Sequence, residues 1–169
     1  MADKLSPHEA AFQVDHNGVL RVPGLLWVAM ALLARHWVLL MLVAISARRE
    51  GSSALLVGGG GVPWVALSME IPILLLAFAA FYRQPTAGAW ARLLWRRGRE
   101  IVALTALLNI GWTVNLLLKS DYWLPWPELF LISCGVLDAA IALSMYTTPY
   151  FRQLFSEFPA RPDAKSPPT

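Results

Sequence analysis

The stretch EIVALTALLNIGWTVNLLL, residues 100–118, decides the fold class. After Glu100 it carries no ionisable side chain through to Leu118. At 1.5 Å per residue, a helix of this length covers the ~30 Å hydrocarbon core of a bilayer. A helix buried in a water-soluble bundle shows a charged face at 3.6-residue spacing, and this stretch has none. Its polar residues Thr105, Asn109 and Thr113 recur at four-residue steps, which places them on one face.

Three further apolar stretches flank it, at about 128–148, 25–46 and 62–82. The turn between 118 and 128 carries Asp121, Pro125 and Pro127, which suit a short connection. The stretch at 25–46 opens after Pro23 and Gly24 and closes at Arg48 and Arg49. The one at 62–82 follows four glycines, Gly58 to Gly61, and contains Pro72, so a kinked, broken or re-entrant element is expected there. Composition agrees with lipid as the main solvent. Hydrophobic residues make up 57% of the chain against 15% charged, and mean hydropathy is +0.51, where soluble domains carry about 25% charged residues.

These features predict an all-α fold, a four-transmembrane-helix bundle. The expected organisation is a polar N-terminal segment (1–22), a membrane domain (23–155) and a disordered C-terminal tail (156–169) rich in proline. Met1 to Asn17 is polar and lacks the apolar core of a signal peptide, so the first span is expected to serve as an uncleaved anchor. With four spans, one side holds Lys4, Arg21, Arg83, Arg92, Arg96, Arg97, Arg99, Arg152, Arg161 and Lys165, and the other Arg48, Arg49 and Lys119. Cationic residues resist translocation, so both termini are expected in the cytoplasm. Tyr122, Trp123 and Trp126 then mark the outer interface, and Tyr82, Trp90, Tyr146 and Tyr150 the inner one.

Between spans two and three, Trp90, Leu93 and Leu94 gather on one side of a helical wheel and Arg92, Arg96 and Arg99 on the other. That is the pattern of a short amphipathic helix lying in the interface. Arg92, Arg96, Arg97 and Arg99 are therefore candidate contacts for anionic lipid or a protein partner. The alternative is a topology signal alone. The pI of 9.4 arises from this loop and the one-sided basic bias, which argues against nucleic-acid binding.

Each span carries polar groups near mid-depth: Arg35 and His36, Glu70, Asn109, and Asp138. Measured from the outer end, Arg35 lies at ~16 Å, Glu70 at ~12 Å, Asn109 at ~14 Å and Asp138 at ~15 Å. An ionised group alone at the bilayer centre costs about 2.5 to 3.5 kcal/mol, so these residues are expected to face inward and pair. The expected pairing is Arg35 with Asp138 or Glu70, bridged by the Asn109 amide. His36 sits about 100° away from Arg35 on a helix and points to a different interface. Small residues Gly135, Ala139 and Ala142 join Asp138 on one side of the last span, where helices can approach closely.

Two readings of this centre stand. It is either a buried ion pair that sets helix register and partner choice, or a proton or cation site in a small carrier, since one arginine cannot neutralise two carboxylates. Enzyme signatures are missing: His8 and Glu9 lack the second histidine of a zinc protease, the glycine run lacks a following Lys and Ser/Thr, and Ser133 has no nucleophile-elbow context. The single cysteine, Cys134, allows no intrachain disulfide. No metal or cofactor is expected.

The segment Leu20-Arg21-Val22-Pro23-Gly24-Leu25-Leu26-Trp27, followed by Leu33-Ala34-Arg35-His36-Trp37 and Ser46-Ala47-Arg48-Arg49-Glu50-Gly51, resembles the YfeZ-like family of uncharacterised bacterial inner-membrane proteins. The basic stretch Leu94-Trp95-Arg96-Arg97-Gly98-Arg99 is similar too, and the likeness extends from about Phe12 to Phe155. The resemblance implies a multi-pass protein of the bacterial inner membrane and no particular reaction. The expectation is a non-enzymatic accessory or scaffold subunit contacting membrane lipid and a membrane-protein partner or second copy; a small proton- or cation-coupled transporter is the alternative.

Overall fold

Gly98 and the residues after it have little reason to leave the helical state, since the next proline is Pro125 and residues 101–118 carry no ionisable side chain. In the computed structural model, which describes residues 19–50, 64–119 and 125–159, every regular element is helical. In chain order these are α1 (Gly24–Leu33), α2 (Arg35–Glu50), α3 (Trp64–Met69), α4 (Ile71–Phe81), α5 (Ala89–Arg96), α6 (Gly98–Leu118), α7 (Pro125–Thr147) and α8 (Pro149–Ser156). The polar segment before residue 19, the glycines at 58–61, the turn at 120–124 with Tyr122 and Trp123, and the tail from residue 160 lie outside the described residues.

Two helices, α6 and α7, are each long and apolar enough to cross a membrane, and α1 with α2 would make a third if the bent pair is one span. Only 33% of the apolar window of α6 and 11% of that of α7 is buried. A soluble monomer rarely leaves so much contiguous apolar surface in water, and lipid is the solvent that suits it. The long helices pack along each other, and α6 also meets α1, α3, α4, α5 and α8, so it forms the axis of the bundle.

The stretches at 25–46 and 62–82 are not continuous rods. The first breaks at Ala34, where the chain bends by 76° between α1 and the residues Arg35–Ser46 of α2. The second breaks at Glu70, separating the six residues of α3 from the eleven of α4. Pro72 explains this break: it sits in the first turn of α4, where its missing N–H is tolerated, and a helix running through from α3 would place its ring against a carbonyl. Nothing comparable marks Ala34, which is neither glycine nor proline.

The apolar core lies toward one end of the bundle. Leu26, Met30 and Leu33 of α1 meet Ile73 and Leu76 of α4, Val102 and Ala106 of α6, and Met145 at the end of α7. Trp95 of α5 and Phe151, Leu154 and Phe155 of α8 continue this core beyond the ends of the long helices. Trp95 stacks on Phe155 at 4.9 Å between centroids and donates its indole N–H to the Leu154 carbonyl at 2.9 Å. Gly98 makes this packing possible, because a Cβ there would overlap the Phe155 ring.

This end corrects the expected domain limits. Residues 156–159, assigned from sequence to a disordered tail, are packed: the Glu157 carboxylate accepts from the Leu20 amide at 3.1 Å, and Pro159 is buried. Leu20, assigned to the polar N-terminal segment, is buried in the core, and its carbonyl accepts from the Arg83 guanidinium. Arg83 also donates to the Glu157 carbonyl at 3.1 Å and lies 4.8 Å from the Trp95 ring centroid. One buried arginine thus ties the start of the chain, the loop after α4 and the end of α8 together.

Candidate functional site

Each helix break frees backbone groups that an unbroken helix would satisfy internally. In an apolar interior they need partners, and the buried polar residues supply them. Glu70, wholly buried at the junction of α3 and α4, takes the His36 amide in the first turn of α2 at 3.2 Å. Its other oxygen lies 2.6 Å from Nδ1 of the His36 ring. A carboxylate at a helix N-terminus also meets the positive end of the helix dipole. At the end of α1, the Leu33 carbonyl accepts from the Asn109 amide of α6 at 3.0 Å. The break at Glu70 is served reciprocally, since the Trp37 indole N–H donates to the Leu67 carbonyl of α3 at 2.9 Å.

Arg35, the first residue of α2, reaches α7. One of its terminal nitrogens lies 2.8 Å and 3.0 Å from the two oxygens of Asp138. The Asp138 side chain is 1% exposed and that of Arg35 15%, so the pair is shielded on the acid's side and edges toward the surface on the other. Two acid–base pairs therefore stand side by side: Arg35 with Asp138 and His36 with Glu70.

The structure brings Arg35, His36, Glu70, Asn109 and Asp138 to one centre; Arg35 meets Asp138, one of its two expected partners, while His36 and Asn109 take other partners than expected. His36, placed by its helical angle on another interface, is the direct partner of Glu70. The ~100° between the two side chains holds within α2, and one centre takes both because the acids approach from different elements, Asp138 from α7 and Glu70 from the junction of α3 and α4. Asn109 does not bridge Arg35 to an acid; its amide caps the end of α1. On α7, Asp138 is buried while its neighbour Ala139 is exposed. Thr105 and Thr113 of α6 are buried beside Asn109; Thr105 donates to the Ile101 carbonyl, and the Thr113 hydroxyl has no partner among the described residues.

Sequence reasoning passed over Trp37, although its position next to two ionisable residues in an apolar run was a signal for a polar indole contact. It passed over Trp95 and Arg83 as well. The wheel at 90–99 placed Leu94 with Trp90 and Leu93, whereas the face α5 turns to the protein consists of Ala91 and Trp95. Trp90 and Leu93 remain exposed. The four arginines there divide into two kinds. Arg92 turns inward, donating to the Pro85 carbonyl at 2.8 Å and covering the Phe158 ring at 4.9 Å. Arg99 donates to the Met145 carbonyl at 2.9 Å and lies 4.8 Å from the Tyr146 ring centroid, while Arg96 and Arg97 are exposed.

Chemically, the centre holds one guanidinium, one imidazole and two carboxylates, and among the described residues no cluster of His, Cys, Asp and Glu is arranged to ligate a metal. These features define the class: an all-helical protein with two to three candidate membrane spans and ionisable groups buried where two of its helices are interrupted. Residues 10–157 match the family described as protein of unknown function, DUF2919, and the chain belongs to that family. No curated protein and no solved structure matches it.

Proposed function

We propose that the protein is a non-enzymatic, multi-pass protein of the bacterial inner membrane, crossing it four times with both termini in the cytoplasm. Two of the passes would be the interrupted helices, α1 with α2 and α3 with α4. Its task in this reading is that of an accessory or scaffold subunit that docks another membrane component or a second copy of itself. The observation that carries it is the use to which the ionisable groups are put. Arg35 and Asp138 are spent on each other, and Glu70 on His36 and the start of α2. That is the economy of a packing device rather than of an open binding site. Docking is supported by α2, which among the described elements packs along α1 and α3 alone and leaves Val38, Leu39, Met41, Leu42, Val43 and Ile45 exposed among the described residues.

A second reading has one specific observation in its favour. The 2.6 Å contact between His36 and Glu70 needs a hydrogen between the two atoms, so a buried carboxylate and an imidazole share a proton at the break. In a small proton- or cation-coupled transporter, Glu70 would be the titrating group and the breaks the moving parts. Asp138→Asn and Glu70→Gln separate the two. Under the scaffold reading both variants lose bundle stability or co-purification of a partner, and proteoliposomes show no pH-driven uptake in any form. Uptake by the wild type that Glu70→Gln abolishes, with folding intact, would establish the carrier instead.

A further inference from the structure

Beyond the docking role, and resting on the membrane-spanning reading for its depth, the end of the bundle carries a built basic hollow. Its volume is about 470 Å³, and it is lined by Arg96, Arg99, Arg152, Phe155 and Ser156. We propose that Arg96 of α5, Arg99 of α6 and Arg152 of α8 together hold the phosphodiester of an anionic phospholipid headgroup.

The three guanidiniums come from three helices that meet where Trp95 of α5 packs on Phe155 of α8 and that ring lies against Gly98 of α6. None of them is paired with a carboxylate among the described residues, so the hollow concentrates positive charge with no anion to answer it. Arg99 is pre-positioned: its Nε is fixed on the Met145 carbonyl and its plane rests by Tyr146, which leaves its two terminal nitrogens to donate. Arg96 and Arg152 make no hydrogen bond within the described residues and are exposed. Guanidinium forks match phosphate oxygens in charge and geometry.

Two observations favour a lipid over free phosphate. Arg99 lies in the first turn of α6, and Met145 and Tyr146 in the last turn of α7, so the hollow sits where the two apolar helices end. That is the level of lipid phosphates when these helices cross a bilayer. On the far side of Arg96 a second hollow, of about 450 Å³, is lined by Ala89, Trp90, Arg92 and Leu93. Trp90 and Leu93 are 50% and 60% exposed there, an apolar neighbour for the parts of a lipid that lie below its phosphate.

The test is lipid titration of the full chain in mild detergent by native mass spectrometry, with phosphatidylglycerol, phosphatidylcholine of the same acyl chains, and inorganic phosphate as probes. The expected result is a preference of about tenfold for phosphatidylglycerol that Arg96→Gln and Arg152→Gln each abolish. Arg21→Gln removes one charge from the same end and should leave the preference in place. Equal binding of both lipids, an equal loss in Arg21→Gln, or an Arg152-dependent affinity for inorganic phosphate without a lipid preference would overturn the site. Alkaline carbonate extraction of the same membranes tests the reading beneath it: release of the chain sinks the membrane-spanning reading, whereas retention with no lipid preference sinks the headgroup site alone.

Discussion

At the scale of single residues, the identity of a partner matters more than the presence of a charge. Asp138→Leu leaves the Arg35 guanidinium without its acid, which should lower stability by about 3 kcal/mol. Removing both charges, with Arg35→Met added, should recover most of that loss, because a buried pair contributes little over apolar side chains of similar size. Unfolding of the wild type, both single variants and the double variant in one detergent system measures the coupling; a double variant as unstable as Asp138→Leu would mean that the two are not a pair. Tyr150 gives a pH-dependent counterpart outside the spans. Burial, with the nearby Glu157 carboxylate adding to it against Arg83, holds the phenol above its ordinary value of 10.0, while its hydroxyl donates to the Arg21 carbonyl at 2.8 Å. A folded-state value raised above the unfolded one adds stability that is present below pH ~10 and lost as pH rises through the folded value. Tyr150→Phe should therefore show a shallower alkaline loss of stability than the wild type, read from melting temperatures between pH 8 and 11. That ionisable groups from separate apolar stretches would turn inward and pair was legible in the sequence. Which acid met which base was not, since His36 and Glu70 are 34 residues apart and meet only through two helix breaks.

At the scale of elements, the breaks and the helix ends explain where polar and small residues sit. Asn109 has a local task, to take up the carbonyl that α1 leaves free at Leu33. Asn109→Leu leaves that carbonyl unpaired and should cost about 1 to 3 kcal/mol, whereas Asn109→Gln, with the same amide one carbon further out, should cost less. Comparing their melting temperatures checks this, and equal losses would assign the residue to packing alone. Gly98 depends on its neighbour in α8. Gly98→Ala drives a methyl group into the buried Phe155 ring and should destabilise the end of the bundle by about 1 to 3 kcal/mol, with Phe155→Leu in the same chain restoring part of it. Thermal unfolding of the wild type, Gly98→Ala and the double variant, followed by circular dichroism, checks this. The break at Glu70 was foreseeable from Pro72, because proline acts on its own preceding turn. The break at Ala34 was not, since no residue there disfavours a helix; the bend exists where Asn109 donates to the freed Leu33 carbonyl and Glu70 accepts from the freed His36 amide.

For the molecule as a whole, sidedness is the property that all the proposals share. In a Cys134→Ala background, a cysteine introduced at Lys119 should react with an impermeant maleimide added to intact cells, and one at Arg97 only after the inner membrane is opened. The reverse pattern would place the basic end outside and remove the cytoplasmic headgroup site with it. The amino-acid sequence alone determined the helical class and the lengths of the apolar stretches, because these follow from composition and from rise per residue along a single helix. Only the tertiary structure decided that the first apolar stretch is interrupted at Ala34, that residues 157–159 and Leu20 close one end around Arg83, and that Arg96, Arg99 and Arg152 converge on one hollow. The physical reason is the same in each case: periodicity tells which side of a helix is polar, but rotation about its axis, bends between segments and the approach of distant residues are set by packing against the rest of the fold.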